Sequence, residues 1–262
     1  MSSWGPVAGW TQAGTSHVAR GREAQDAFLI LPAREQGPLV IAVADGIGSR
    51  DRSTLGARLA VDVACRILAR DVPEPAEPAA TWSEWVREAA IAVADEFQRC
   101  AAVLTADSDP GELATTLAAA VLWGRWAGFV AVGDCFGAVL TTPEPPPTAS
   151  PATWHLVLPP GLSASLPSAP RSAIRAFALW DPDLSGVLLA TDGCMPLALE
   201  RPDGLGLPDI VGPQPAPTFF EEVARGIRDG GGSAALADLL RAGAVGRSAD
   251  DITVVCALTG GR

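Results

Sequence analysis

Leu39–Arg58 reads LVIAVADGIGSRDRSTLGAR. Leu39 to Ala44 is an unbroken apolar run, and Asp45-Gly46 ends it. A short Val- and Ile-rich run bounded by turn residues predicts a buried strand. A carboxylate at the end of such a strand is costly to desolvate unless positive charge meets it. Gly46 and Gly48 let the backbone turn sharply and leave the Gly46 carbonyl approachable. A hard divalent cation suits carboxylate, carbonyl and water oxygens. Taken alone, Asp45-Gly46 is also ordinary turn chemistry.

Two later stretches extend the pattern. Gly186–Gly193 (GVLLATDG) is a second apolar strand ending in Asp-Gly, at Asp192-Gly193. Ser248–Leu258 (SADDITVVCAL) inverts it, with Asp250-Asp251 just before an Ile-Thr-Val-Val strand. Strand-end acids far apart in sequence are able to converge on one metal cluster.

With RxxQDAF (Arg22–Phe28), VADGIG (Val43–Gly48), GDC (Gly133–Cys135), ATDG (Ala190–Gly193) and DDITVV (Asp250–Val255), the chain resembles the metal-dependent Ser/Thr protein phosphatases of type 2C. That family's motifs look like VADGxG, GDS, a strand ending SDG, and DNxTVV. Their order and spread are matched over nearly the whole chain.

Composition bounds the classes. The 262 residues are 48% hydrophobic and 19% charged, which fits one globular domain over 1–262 with a sizeable core. The net charge of −11 disfavours nucleic-acid binding. Cys65, Cys100, Cys135, Cys194 and Cys256 are odd in number, widely spaced and without a CxxC pair. That argues against disulfides or zinc and for a reducing, cytoplasmic setting. The N-terminus has neither the basic nor the apolar region of a signal peptide, and no apolar run is long enough to span a membrane.

The remaining chain reads as strands and two helix pairs. Strands are expected over Trp4–Ser16, Gln25–Leu31, Ala114–Val121, Phe129–Val132, Phe136–Thr141, Thr153–Leu158, Ala173–Leu179 and Ile252–Leu258. Leu55, Leu59, Val63 and Ile67 make an apolar stripe over a helix at Ser53–Asp71, with Ser53 as its N-cap. Capping boxes at Thr81–Glu84 and Thr218–Glu221 predict two further helix starts, and Ser233 a fourth. The tryptophans read as core. Pro-rich loops fall near 142–151, 159–171 and 202–217. This pattern predicts an α+β fold in which helices flank a central antiparallel β-sandwich, an αββα layering.

The resemblance implies the same fold and a site at one end of the sandwich. It implies that Asp45 bridges two Mn²⁺ or Mg²⁺ ions, that the Gly46 carbonyl binds one, and that Asp192 and Asp250 bind the other. Asp134 would serve a third, weaker ion, or is simply a hairpin-turn residue. Asp26 would orient bound water. Gln25 stands where many members have Glu. Strand alternation would put Arg20, Arg22 and Asp26 on one face. The guanidinium fork suits a phosphate dianion, and Arg22 is favoured over Arg20 for that role. Ile47 occupies the place of a His that acts as general acid in some members.

The implied activity is hydrolysis of phosphoserine or phosphothreonine in proteins by water activated between two metals, with no covalent intermediate. The implied partners are phosphorylated proteins, a Ser/Thr kinase or its targets, in signalling. Two other readings stand beside it: a pseudophosphatase binding module on the same fold, and a metal hydrolase of small phosphoesters. The family often carries a helical flap beside its site. Pro159–Arg171 shows no helical periodicity, so the flap is expected to be short or lost.

Overall fold

The computed structural model describes residues 4–32, 37–106, 108–143, 152–161, 163–244 and 247–260. Most of the Pro-rich stretch at 142–151 lies outside them. In chain order the elements are β1 (Trp4–Gln12), α1 (Thr15–Val18), β2 (Ala27–Leu31), β3 (Leu39–Ala44), α2 (Ser53–Leu68) and α3 (Ala79–Leu104). Next come β4 (Leu117–Trp123), β5 (Trp126–Val132), β6 (Phe136–Thr141), β7 (Thr153–Leu158), β8 (Arg175–Trp180) and β9 (Leu184–Ala190). Then follow α4 (Met195–Ala198), β10 (Leu199–Glu200), β11 (Gln214–Pro215), α5 (Pro217–Arg228), α6 (Gly232–Ala244) and β12 (Ile252–Thr259).

Two antiparallel sheets form the centre, ordered β2-β3-β4-β5-β8 and β1-β12-β9-β6-β7. The unbroken apolar character of β3 follows from its place between the other sheet and the helices. Leu39, Ile41 and Val43 face the other sheet, where Val187, Leu189, Val255 and Ala257 meet them. Val40, Ala42 and Ala44 face α2 and α3. A strand covered on both faces has no use for polar alternation. The second sheet turns Leu188, Ala190, Val254 and Cys256 outward onto α5 and α6, which present Phe220, Val223, Ile227 and Leu240. The four αββα layers expected from the sequence are therefore present.

Trp82 and Trp126 are core, as expected, whereas Trp180 is exposed and the other tryptophans are half-buried. Trp82 is fully buried and stacks on Trp126 with ring centroids 5.0 Å apart. Such a pair adds about 0.5–1.5 kcal/mol beyond its buried area. Their indole nitrogens donate to Glu74 O and Pro75 O, both at 3.2 Å, and so pin the Pro-rich link between α2 and α3.

Helix starts differ from the capping expectations. α3 begins at Ala79 behind Pro78, two residues before Thr81. Proline fixes the entering φ, and Ala79-Ala80 are strong helix formers, so the helix starts early. α5 likewise takes Pro217 as its first residue, leaving Thr218 inside. Arg52 is the N-cap of α2, and Ser53 Oγ donates instead to Arg50 O at 3.1 Å. α6 starts at Gly232, one residue before Ser233.

The strand expected over Trp4–Ser16 ends at Gln12, and the one-turn α1 takes Thr15–Val18. β2 starts at Ala27, so Arg20 and Arg22 lie outside the strand, and alternation along β2 does not align them with Asp26. The Pro159–Arg171 segment has no α-helix among its described residues, and Leu166 is paired with Thr115 through hydrogen bonds of 2.9 and 3.1 Å. No helix among the described residues is long and apolar enough to cross a membrane.

Candidate active site

The predicted acids collect where strands from both sheets run out at one end. Ala27 pairs with Ala44, and the next residues outward are Asp26 and Asp45. On its other side Asp45 meets Thr116. Thr116 N donates to Asp45 O at 2.8 Å, and Asp45 N donates to Thr116 Oγ1 at 3.2 Å. In the second sheet Phe136 and Val254 both pair with Ala190. Outward from that row lie Asp134 on one side, Asp192 in the middle and Asp250 on the other. Thr191 joins the two sheets here. Its hydroxyl donates to Asp26 Oδ2 at 2.8 Å and accepts from Thr253 N at 3.0 Å.

Gly46 is a forced choice. A Cβ there would lie 2.7 Å from Ser53 O and 2.9 Å from Gln25 O. The missing side chain lets the Asp45-Gly46 turn run between the start of α2 and Gln25.

The electrostatics report crowded acid. Asp45 is pushed up to about 10, by burial first and then by the charges of Asp26 and Asp192. Burial also raises Asp26, to about 7, against the hydrogen bond from the Thr191 hydroxyl, which lowers it. Asp192 rises to about 6 through burial and the charges of Asp134 and Asp250. Three oxygens at this end are buried without a hydrogen-bond donor: Asp26 Oδ1, Asp134 Oδ1 and Gln25 Oε1. Orphaned buried oxygens and mutually raised carboxyls call for a cation, and an all-oxygen donor set suits Mg²⁺ or Mn²⁺. Among the described residues, no group of three His, Cys, Asp or Glu side chains is arranged to hold an ion as it stands. Ionised carboxylates repel at short range, and a cation would supply the attraction that gathers them.

The two candidate arginines are separated by position. Both are exposed. Arg22 lines a cleft of about 310 Å³ with Glu23, Gln25, Asp51 and Thr54, next to the buried Gln25 side chain, whereas Arg20 does not line it.

Three contributors carry no assigned role in the sequence. Thr191 read only as the last residue of a strand. Arg175 donates to Gly133 O at 2.8 Å and also reaches Pro159 O, tying the Gly133–Asp134 bend to the start of the Pro-rich segment. Asp251 accepts three hydrogen bonds from the segment before β2. Its presence beside Asp250 in the Asp-Asp pair was the only available signal.

Residues 13–241 match the model of the Protein phosphatase 2C family. The chain belongs to that family. No curated protein matches the sequence significantly. Among solved structures, a bacterial serine phosphatase is similar at 13% identity and a TM-score of 0.64, over 98% of each chain. A serine-threonine phosphatase 2C from Toxoplasma gondii is 14% identical with a TM-score of 0.63, covering 99% of this chain and 96% of that one. The serine/threonine phosphatase Stp1 from Staphylococcus aureus is 13% identical with a TM-score of 0.60, covering 100% and 98%. At such identities these likenesses establish a common fold.

Proposed function

We propose that this protein is a metal-dependent phosphatase that removes phosphate from phosphoserine and phosphothreonine in proteins, and that the chain from 1 to 262 forms one phosphatase domain. Membership in the family supports the reaction class. The observation that carries the reading here is the set of buried, donorless oxygens among carboxyls that raise one another's proton affinity.

Asp45, Asp192 and Asp250, with the Gly46 carbonyl, would hold two Mn²⁺ or Mg²⁺ ions, and Asp134 a third. When bound, the ions would activate water for attack on phosphorus and offset charge on the phosphoryl oxygens. The chain's own residues do the rest. Asp26, whose Oδ2 accepts from the Thr191 hydroxyl, would accept a hydrogen bond from the attacking water and orient it. Arg22, at the cleft beside Gln25, binds the phosphate dianion with its fork of donors. Phosphoryl transfer asks mainly for this positioning and charge compensation.

A cysteine route is disfavoured. Cys135 and Cys194 adjoin the acids but are fully buried, and burial above all pushes both thiols well up from their usual range. A thiol that does not ionise is a poor nucleophile. All five cysteines are free.

The test is hydrolysis of p-nitrophenyl phosphate and of phosphoserine and phosphothreonine peptides, with Mn²⁺ or with EDTA. Activity should require the metal, and Asp192→Asn should abolish it while leaving the fold intact. Equal turnover in EDTA, or wild-type turnover by the variant at saturating Mn²⁺, would overturn the reading. Phosphopeptide hydrolysis separates it from a pseudophosphatase, and preference for peptides over small phosphoesters separates it from a small-molecule hydrolase.

A further inference from the structure

Asp251 is only 2% exposed and His17 only 6%, yet the two lie 234 residues apart in sequence. Asp251 Oδ1 accepts from Gly14 N at 2.7 Å and from His17 Nδ1 at 2.9 Å, and Oδ2 accepts from Gln25 N at 2.6 Å. One carboxylate thus holds both ends and the middle of the segment between β1 and β2. The fit is close: a Cβ on Gly14 would lie 2.4 Å from the Asp250 carbonyl carbon. Ser16 adds bonds from its N and Oγ to Ala249 O, at 3.1 and 2.8 Å. His17 passes the restraint on, since its carbonyl accepts from both Arg20 N and Arg22 N at 3.0 Å.

An Asn at 251 would have one acceptor oxygen and an NH₂ group. It could not receive all three donors, and its NH₂ would meet the N–H of Gln25 or the donors on the other side. The three donors that converge on residue 251, His17 among them, therefore require a carboxylate there. We propose that His17 and Asp251 are a pair of positioning residues. They set Arg22, Gln25 and Asp26 against Asp250, and so determine how well the site receives phosphate and cation. The inference rests on the phosphatase reading above for what the site binds, while the pair itself is tested without turnover.

The experiment compares wild type with His17→Ala, His17→Asn, His17→Gln and Asp251→Asn. Asn carries an N–H near the place of His Nδ1, and Gln carries it farther out. Three readouts are taken: KM and kcat on a phosphopeptide, Mn²⁺ affinity by calorimetry, and amide exchange of residues 14–25 in EDTA. Loss of one buried hydrogen bond predicts that His17→Ala raises KM roughly 2- to 10-fold with a smaller change in kcat. It should also speed exchange at Gly14 and Gln25, and His17→Asn should restore both. Asp251→Asn should weaken Mn²⁺ binding with Asp250 still present. A lower Tm with unchanged KM, Mn²⁺ affinity and local exchange would make the pair a structural brace and overturn the proposal. If His17→Ala does not fold, equal behaviour of the Asn and Gln variants would overturn it. If wild type hydrolyses no phosphopeptide, the phosphatase reading fails, and Mn²⁺ affinity and exchange still decide the pair.

Discussion

Replacing Asp45 by Asn should make the metal-free protein more stable at neutral pH, although the side chain lies in the candidate site. The folded protein raises Asp45 from 3.8 to about 10, by burial first and then by Asp26 and Asp192. A group whose folded pKa is raised gives stability that is full below its unfolded value and lost as pH rises towards the folded one. At pH ~7.5 the folded chain must either keep a proton on Asp45 or bury its charge. The ceiling of that cost is about 5 kcal/mol, from ~1.4 kcal/mol per pH unit above 3.8. The partial exposure of Asp45 and sharing among the three acids should bring the measured gain to roughly 1–3 kcal/mol. For a chain of this size that is about 2–12 °C in Tm. Asn imitates the protonated acid in shape and donor capacity, and the main-chain bonds of Asp45 to Thr116 are untouched. The assay is thermal and urea unfolding in EDTA from pH ~4 to ~8, the window in which the raised group titrates against its unfolded state. The advantage of Asp45→Asn should be near zero at the acid end and grow with pH. Saturating Mn²⁺ should reverse it, because a ligand that binds only the folded state stabilises wild type. A variant less stable than wild type in EDTA at neutral pH, or an advantage that does not change with pH, would refute the reasoning.

Arg22→Ala should raise KM for a phosphopeptide, and lower kcat/KM roughly tenfold to a hundredfold if the contact is worth about 1.5–3 kcal/mol. Arg20→Ala, outside the cleft, should have little effect, and steady-state kinetics showing the reverse would transfer the role. Thr191→Val keeps the volume but removes the donor to Asp26 and the acceptor for Thr253 N. Urea unfolding should show a loss of about 1–3 kcal/mol, the cost of leaving buried groups unpaired; an unchanged midpoint would mean that the bridge contributes nothing.

The sequence by itself determined the local environments. An apolar run such as Leu39–Ala44 can be buried on both faces wherever it lands, and an acid at its end needs a counter-charge in any fold that buries it. Those local environments single out Asp45, Asp192 and Asp250 and predict the layers around them. The helix caps failed because proline and alanine upstream of Thr81 and Thr218 outweighed a side-chain cap, a local competition that the capping pattern does not register. Only the tertiary structure decided which residues face each other across the gap between sheets. Asp26 beside Asp45 depends on the register of β2 against β3. Thr191 on Asp26 joins residues 165 apart, and Asp251 on Gly14 joins residues 237 apart. Periodicity reports which face of an element is buried, but a hydrogen bond between distant segments depends on strand register and sheet stacking. Those are settled by packing over the whole chain, and they place Arg22 at the cleft and leave Arg20 outside it.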